Sequence, residues 1–134
     1  MTMRLTIVTP VRPLIDSDVE QVVAPGSEGE FGVLPGHAPV LVELKPGVVR
    51  WIEAGRNRRA AISGGFAEVT LERVTVLAPI AELAEQIDAT EAERRRSEAA
   101  TALSNIGYAA PPEQVAKLRD AVECAQARVD ALRG

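Results

Sequence analysis

Cysteine and histidine each occur only once in this chain of 134 residues, as Cys124 and His37. A single cysteine excludes a disulfide within the chain, and it fits a reducing compartment. The chain also lacks a His and Cys cluster that could bind zinc, a GxSxG elbow and a GxxxxGK(S/T) phosphate loop. Because hydrolysis needs a nucleophile, a base and an orienting group held together, we expect no catalytic residues, no metal and no cofactor.

Long apolar runs and an excess of positive charge are also missing. No apolar run approaches the roughly 18 residues that a membrane-spanning helix needs, and the N-terminus lacks the apolar core of a leader. We expect membrane association only through partners. The net charge is -4, with 15 basic and 19 acidic residues, so no nucleic-acid partner is expected. Aromatic residues make up only 3%, so aliphatic side chains and alanine must fill the core.

Residues 1–81 have the pattern of a β domain. Short β-rich runs are separated by turn signals about every 8 to 12 residues, which is typical of an antiparallel sandwich or barrel. The Lys45-Pro46-Gly47 segment has the composition of a type II turn, and Gly64-Gly65 marks another break. We predict an all-β sandwich of about ten short strands.

Residues 82–134 are rich in alanine, glutamate and arginine, which favour helix. The pattern predicts one helix over Ala81 to Ser104, a stop at Gly107 and a second helix beginning at Pro111-Pro112. Apolar residues recur in the second helix at spacings of three and four: Val115, Leu118, Val122, Ala125, Val129 and Leu132. We predict an antiparallel helical hairpin whose seams bury each other. The narrow, alanine-rich seam predicts a hairpin that can detach.

The stretch from Gly29 to Pro39 (GEFGVLPGHAP) combines three glycines with two prolines and predicts an ordered loop. It carries Glu30, Phe31 and His37, so it is a candidate contact surface. The residues alone leave alternatives open. His37 could contact a partner or satisfy a backbone carbonyl, and Glu30 could be an ordinary surface carboxylate.

Four blocks in the sequence resemble the epsilon subunit of F-type, proton-translocating ATP synthases. They are SEGEFGVLPGHAPVL (27–41), LKPGVVR (44–50), SGGFAEV (63–69) and VTVLA (74–78). The resemblance implies a non-catalytic subunit of the central stalk that rotates with the gamma subunit and the c-ring and couples proton flow to ATP synthesis. It also implies a peripheral location on the cytoplasmic face of the bacterial inner membrane.

The resemblance further implies roles for residues of the Gly29 to Pro39 stretch. Glu30 is similar to the acidic residue that meets the polar loops of the c-ring, and His37 lies close by. Phe31 and Leu34 are expected in the core or facing gamma. The β-sandwich, residues 1–81, would thus bind gamma and the c-ring, and residues 82–134 would be regulatory.

Arg94, Arg95 and Arg96 form a basic run on the first predicted helix. One hypothesis is a solvated face that pairs with Glu91, Glu93 and Glu98. The other is implied by the resemblance: the extended hairpin docks these arginines on the catalytic alpha and beta subunits and blocks ATP hydrolysis.

Some epsilon subunits bind ATP through a motif of Ile/Leu-Asp, two variable residues, Arg and Ala. This chain keeps Ile87 and Asp88 but has Glu91 at the arginine position. Because a carboxylate there would face an anionic ligand, we predict weak or absent ATP binding. A stand-alone nucleotide-sensing module is the alternative function, and retained ATP affinity of the isolated chain would support it.

Overall fold

The computed structural model describes residues 1–133, which form eight strands, one short 3₁₀ turn and two α-helices. The strands are β1 (Met3–Val8), β2 (Pro13–Val19), β3 (Gln21–Gly26), β4 (Gly29–Val33), β5 (Val40–Glu53), β6 (Arg56–Val69), β7 (Arg73–Leu77) and β8 (Ala81–Leu83). The 3₁₀ turn covers Ala84–Gln86, and the helices are α1 (Ala89–Ser104) and α2 (Pro112–Arg133). The predicted sandwich followed by two helices is confirmed.

The strands form two layers that share β5 and β6. Neighbouring strands follow the order β2-β1-β7-β6-β5-β3-β4, and β8 pairs with β6. The first half of β5 pairs with the second half of β6 and thus belongs with β7, β1 and β2. The second half of β5 pairs with the first half of β6, and these halves lie in the layer that contains β3, β4 and β8. Residues from both layers form one apolar core around Trp51.

The described residues contain eight strands where the sequence predicted about ten, because β5 and β6 are each 14 residues long. Pro46 and Gly47 do not form the predicted type II turn, since both pair with β6, opposite Ser63 and Ile62. Instead, β5 passes from one layer to the other at this Pro-Gly segment, and β6 does so at Gly64 and Gly65 on the opposite strand. A Pro-Gly pair can therefore bend a strand without ending it.

Gly65 lies in β6 at the point where this strand passes from one layer to the other. Its φ is +125°, and a Cβ built on it would lie 1.9 Å from the carbonyl oxygen of Leu77. Neither the backbone angle nor the space suits a side chain. The bend in β6 therefore depends on glycine at this position.

The first helix begins later than predicted. Ala81–Leu83 is strand β8, paired with Ala60 to Ile62 of β6, and α1 begins at Ala89. Asp88 is the N-cap of α1, where its Oδ1 accepts a hydrogen bond from the Glu91 backbone N–H at 2.9 Å. Local helix propensity at 81–88 is thus overridden by pairing with β6 and by a capping carboxylate.

The two helices pack on each other, but the best-buried part of α2 faces the sandwich. The residues of the predicted seam are half-buried apart from Val129, which is 6% exposed. Ala127 and Ala131, outside that seam, are buried with Val48 and Ala61 of the sandwich. Arg59 also donates from Nε to the Ala131 carbonyl oxygen at 2.6 Å. The prediction that the seams of the two helices bury each other was therefore incomplete.

Candidate partner-binding sites

Glu30 and Phe31 lie in strand β4, so the first half of the predicted loop is a strand. β4 forms because Gly29–Val33 pairs antiparallel with β3. Glu30 points to the surface, where its Oε2 accepts a hydrogen bond from Arg50 Nη1 at 2.9 Å and its side chain stays 58% exposed. Phe31 is half-buried against the main core. The pair thus separates into a surface carboxylate and a packing residue.

His37 lies in the segment that follows β4, at residues 34–39. Its Nδ1 donates to the Ala38 carbonyl oxygen at 2.6 Å, since a carbonyl can only accept. Gly36, with φ +86°, donates its backbone N–H to the Leu71 carbonyl oxygen at 3.0 Å. This ring contact agrees with the hypothesis that His37 satisfies a backbone carbonyl. The partner contact stays a prediction.

Glu30 and His37 are held by different parts of the sandwich. Glu30 is bound to β5 through Arg50, whereas the His37 segment is bound to the turn after β6 through Leu71. Leu34, in the same segment as His37, is 60% exposed and so is not a core residue. Of the two expectations for Leu34, contact with a partner is the one that remains.

A row of apolar side chains crosses the outer face of the layer that contains β7, β1 and β2. Register places Phe66 opposite Leu77 and Leu77 opposite Val8. Phe66 is 48% exposed and Leu77 51%, and Leu41, diagonally across from Phe66, is 68% exposed. We call Val8, Leu41, Phe66 and Leu77 the apolar row. Exposed apolar groups that lie together commonly mark interaction surfaces.

The apolar row was not predicted from the sequence, although a signal for it was present. Alternation along β6 buries Ala67 and Val69, so Phe66 must point outward. The alternation along one strand shows which residues share a face. When both faces carry apolar residues, it does not show which face is covered by the rest of the protein. The register with β7 was needed to show that Leu77 lies beside Phe66.

The three arginines of α1 are exposed or half-buried, and two of them pair within their own helix. Arg94 binds Glu98 at 2.8 Å, and Arg96 binds Glu93. The Arg96 contact lowers the pKa of the Glu93 carboxyl. These pairs agree with the hypothesis of a solvated face for Arg94 and Arg96. Arg95 instead lines a cavity between the helices and the sandwich.

That cavity has a volume of about 720 Å³, and Glu91 of the nucleotide motif lines it, whereas Ile87 and Asp88 do not. Glu91 faces Arg128 there, with 2.9 Å between Oε1 and Nη2, and the hydrogen bond lowers the pKa of the Glu91 carboxyl. Ile87 is buried and Asp88 caps α1, so both have structural roles. Glu91, at the position where the motif has an arginine, therefore pairs with Arg128 of the other helix.

Within residues 1–133, no helix is long and apolar enough to cross a membrane. The same residues contain no group of three His, Cys, Asp or Glu side chains arranged to hold a metal ion.

The sequence and the fold have known counterparts. The family model for the beta-sandwich domain of the ATP synthase delta/epsilon chain matches residues 2–84. This match defines the class of the first part of the chain.

Relatives define the family more closely. The ATP synthase epsilon chain of Granulibacter bethesdensis is 42% identical over 96% of each chain. That of Pelotomaculum thermopropionicum is 50% identical over 72% of this chain and 74% of the relative. The chain therefore belongs to the family of ATP synthase epsilon chains, as the four sequence blocks predicted. It is a component of an ATP synthase.

Two solved structures share the fold along nearly the whole chain. A chain of the Euglena gracilis mitochondrial ATP synthase structure matches with a TM-score of 0.80 and 24% identity, covering 99% of this chain and 82% of that one. A chain of the Tetrahymena thermophila central stalk and c-ring structure matches with a TM-score of 0.65 and 15% identity, covering 98% and 97%. At these identities the likeness concerns the fold alone.

Proposed function

We propose that this chain is a non-catalytic subunit of the central stalk, held between the gamma subunit and the c-ring and turning with them. Through this position it couples proton flow to ATP synthesis. It is peripheral to the cytoplasmic face of the inner membrane and reaches the membrane only through the complex. Its sandwich, residues 1–81, supplies the gamma and c-ring contacts, and residues 82–134 are regulatory.

The observation that carries the proposal is the apolar row. Phe66 and Leu77 are half-exposed side by side on a face that the helices leave uncovered, because α2 packs on the opposite layer. A stable interface needs such an apolar centre surrounded by polar groups, and Glu43 and Glu68 border the row. We assign this face to gamma.

The c-ring contact is assigned to Glu30. Its carboxylate is exposed, and its Arg50 partner fixes its direction with a single hydrogen bond. An exposed ion pair contributes only about 0 to 1 kcal/mol, so a polar loop of a partner could replace it at little cost. Phe31 supports β4 from the core side, and His37 with Leu34 borders the gamma face.

The proposal is tested by binding of the purified chain to gamma. Phe66→Asp should weaken binding roughly 30-fold, because a buried interface aromatic typically contributes about 2 kcal/mol or more. Tyr108→Asp is the matched control, since Tyr108 is a fully exposed aromatic in the connection between α1 and α2. It should leave binding unchanged. Equal binding by both variants would refute the assignment of this face.

The alternative of a stand-alone nucleotide sensor is disfavoured by the position of Glu91 against Arg128. Regulation by the hairpin is a second proposed role, favoured by the mostly small side chains that join it to the sandwich. In this role the hairpin leaves the sandwich, extends toward the alpha and beta subunits and inhibits hydrolysis.

A further inference from the structure

One arginine of α2 contacts both the sandwich and α1. Arg128, on α2, donates from Nε to Glu82 Oε1 at 2.7 Å and from Nη2 to Glu91 Oε1 at 2.9 Å. A third contact joins Nη2 to Glu82 Oε2 at 3.4 Å. Glu82 lies in β8 of the sandwich and Glu91 in the first turn of α1. A single guanidinium therefore bridges the sandwich and both helices.

This ion triad is better shielded than the other charge pairs of the helices. The Arg128 side chain is 18% exposed, compared with 57% for Arg94 and 31% for Arg96. Shielded pairs are less affected by salt, and removing one partner leaves an uncompensated charge. The loss of Arg128 would leave Glu82 and Glu91 facing each other.

The apolar cluster at this junction contains mostly small helix side chains. Its buried helix residues are Val129 and three alanines, Ala92, Ala127 and Ala131, and Leu132 is partly buried against them. Burial scales with apolar area, so alanines stabilise docking much less than larger side chains would. The charged contacts therefore have a correspondingly large share in holding the hairpin down.

We infer that the Glu82–Arg128–Glu91 triad is a built-in latch that holds the hairpin against the sandwich without a bound nucleotide. Glu91 provides, from within the chain, the negative charge that an anionic ligand would otherwise bring to Arg128. The consequence of the latch for hydrolysis rests on the proposed regulatory role, whereas the latch itself is a property of the isolated chain.

The latch is tested by hydrogen exchange of the full-length chain, followed by mass spectrometry. Arg128→Met should accelerate exchange of the α2 amides about tenfold or more, because undocking exposes a helix with a weak seam. Peptides from β1 and β7, which lie in the layer that α2 does not cover, serve as the internal reference and should exchange as before. Arg94→Met is the matched control, since it removes an ion pair within α1 alone. It should leave α2 unchanged.

A charge exchange covers the case in which Arg128→Met also loosens the sandwich. Arg128→Glu should accelerate α2 exchange, and adding Glu91→Arg should slow it again, because position 91 could then bind both position 128 and Glu82. Unchanged α2 exchange in Arg128→Met, or no recovery in the double variant, would overturn the latch. The latch would also be overturned if ATP slowed α2 exchange in the wild-type chain by as large a factor as Arg128→Met accelerates it.

These outcomes are separate from those of the gamma-binding test. Exchange is measured on the chain without partners, so a failure to bind gamma would leave the latch intact. Conversely, a chain with no latch could still bind gamma through the apolar row.

Discussion

Gly65 shows how a single residue determines the shape of the sandwich. At this residue β6 leaves one layer and enters the other, with a φ of +125° and the Leu77 carbonyl oxygen directly beside the Cα. The strand can bend there only while no side chain is present. Residues of this kind act through the backbone and contribute little apolar area themselves.

Gly65→Ala should lower the free energy of unfolding by about 2 kcal/mol or more, because the methyl group meets backbone that cannot move aside and the φ is unfavourable. Urea unfolding followed by circular dichroism measures this change. Gly107→Ala is the control, since a Cβ there meets no atom within 4 Å. It should change stability by less than about 0.5 kcal/mol. Equal unfolding midpoints would show that the bend tolerates a side chain.

At the scale of elements, α2 joins the hairpin to the sandwich, and the buried side chains at this junction are mostly small. Val48 and Ala61 provide the sandwich side of the apolar contact, and Arg59 and Arg128 provide polar ones. Elements joined in this way can separate as a unit at a low free-energy cost. This supports movement of the two helices together, away from a sandwich that keeps its own core.

Deletion of residues 89–134 should raise ATP hydrolysis by the assembled complex, because the deletion removes the proposed inhibitory segment. The cut follows Asp88, since β8 and the buried Ile87 pack with the sandwich. Assembly, measured by co-purification of gamma, should be unaffected.

Replacing Arg94, Arg95 and Arg96 with glutamine separates the two hypotheses for these residues. Increased hydrolysis supports docking on the catalytic subunits, and unchanged hydrolysis supports a solvated face.

Some elements could be predicted from the sequence and others could not. Turn residues and β-rich runs indicated the sandwich, and the change to alanine and glutamate indicated the helices. Strand β8 was missed because Ala81, Glu82 and Leu83 favour helix locally, while their pairing with β6 is a tertiary effect. The docked face of α2 was missed because alanines such as Ala127 do not reveal which side of a helix is covered.

The candidate sites were predictable to different degrees. Glu30, Phe31 and His37 were singled out by the glycines and prolines around them, yet their separation into core, surface and loop positions required the pairing of β3 with β4. Arg128 and Glu82 lie 46 residues apart in the sequence. No local pattern could place them together, so the triad was visible only in the folded chain.

At the scale of the whole molecule, the exposed end of β4 should meet the membrane rotor. Glu30→Cys, introduced in a Cys124→Ala background, should form a disulfide with a cysteine placed in the polar loop of the c-ring. The reason is that the Glu30 side chain is exposed and held toward the surface by one replaceable hydrogen bond. Non-reducing electrophoresis of the assembled complex measures the product.

Glu113→Cys is the matched control for this cross-link, because Glu113 is an exposed carboxylate in the first turn of α2. It should give no product with the same c-ring cysteine. A complex that remains active but yields no Glu30→Cys product would remove the c-ring assignment and leave the gamma face untouched.

The passage of β5 and β6 through both layers has a mechanical consequence. A sandwich made of separate sheets could slide at its interface, since only side-chain packing would resist the displacement. Here a force applied at Phe66 reaches the opposite layer along covalent backbone, through the same two strands that carry Val48 and Ala61 beneath the helices. We expect a subunit built in this way to resist torsional deformation. Such stiffness is needed in any component that transmits rotation between two others.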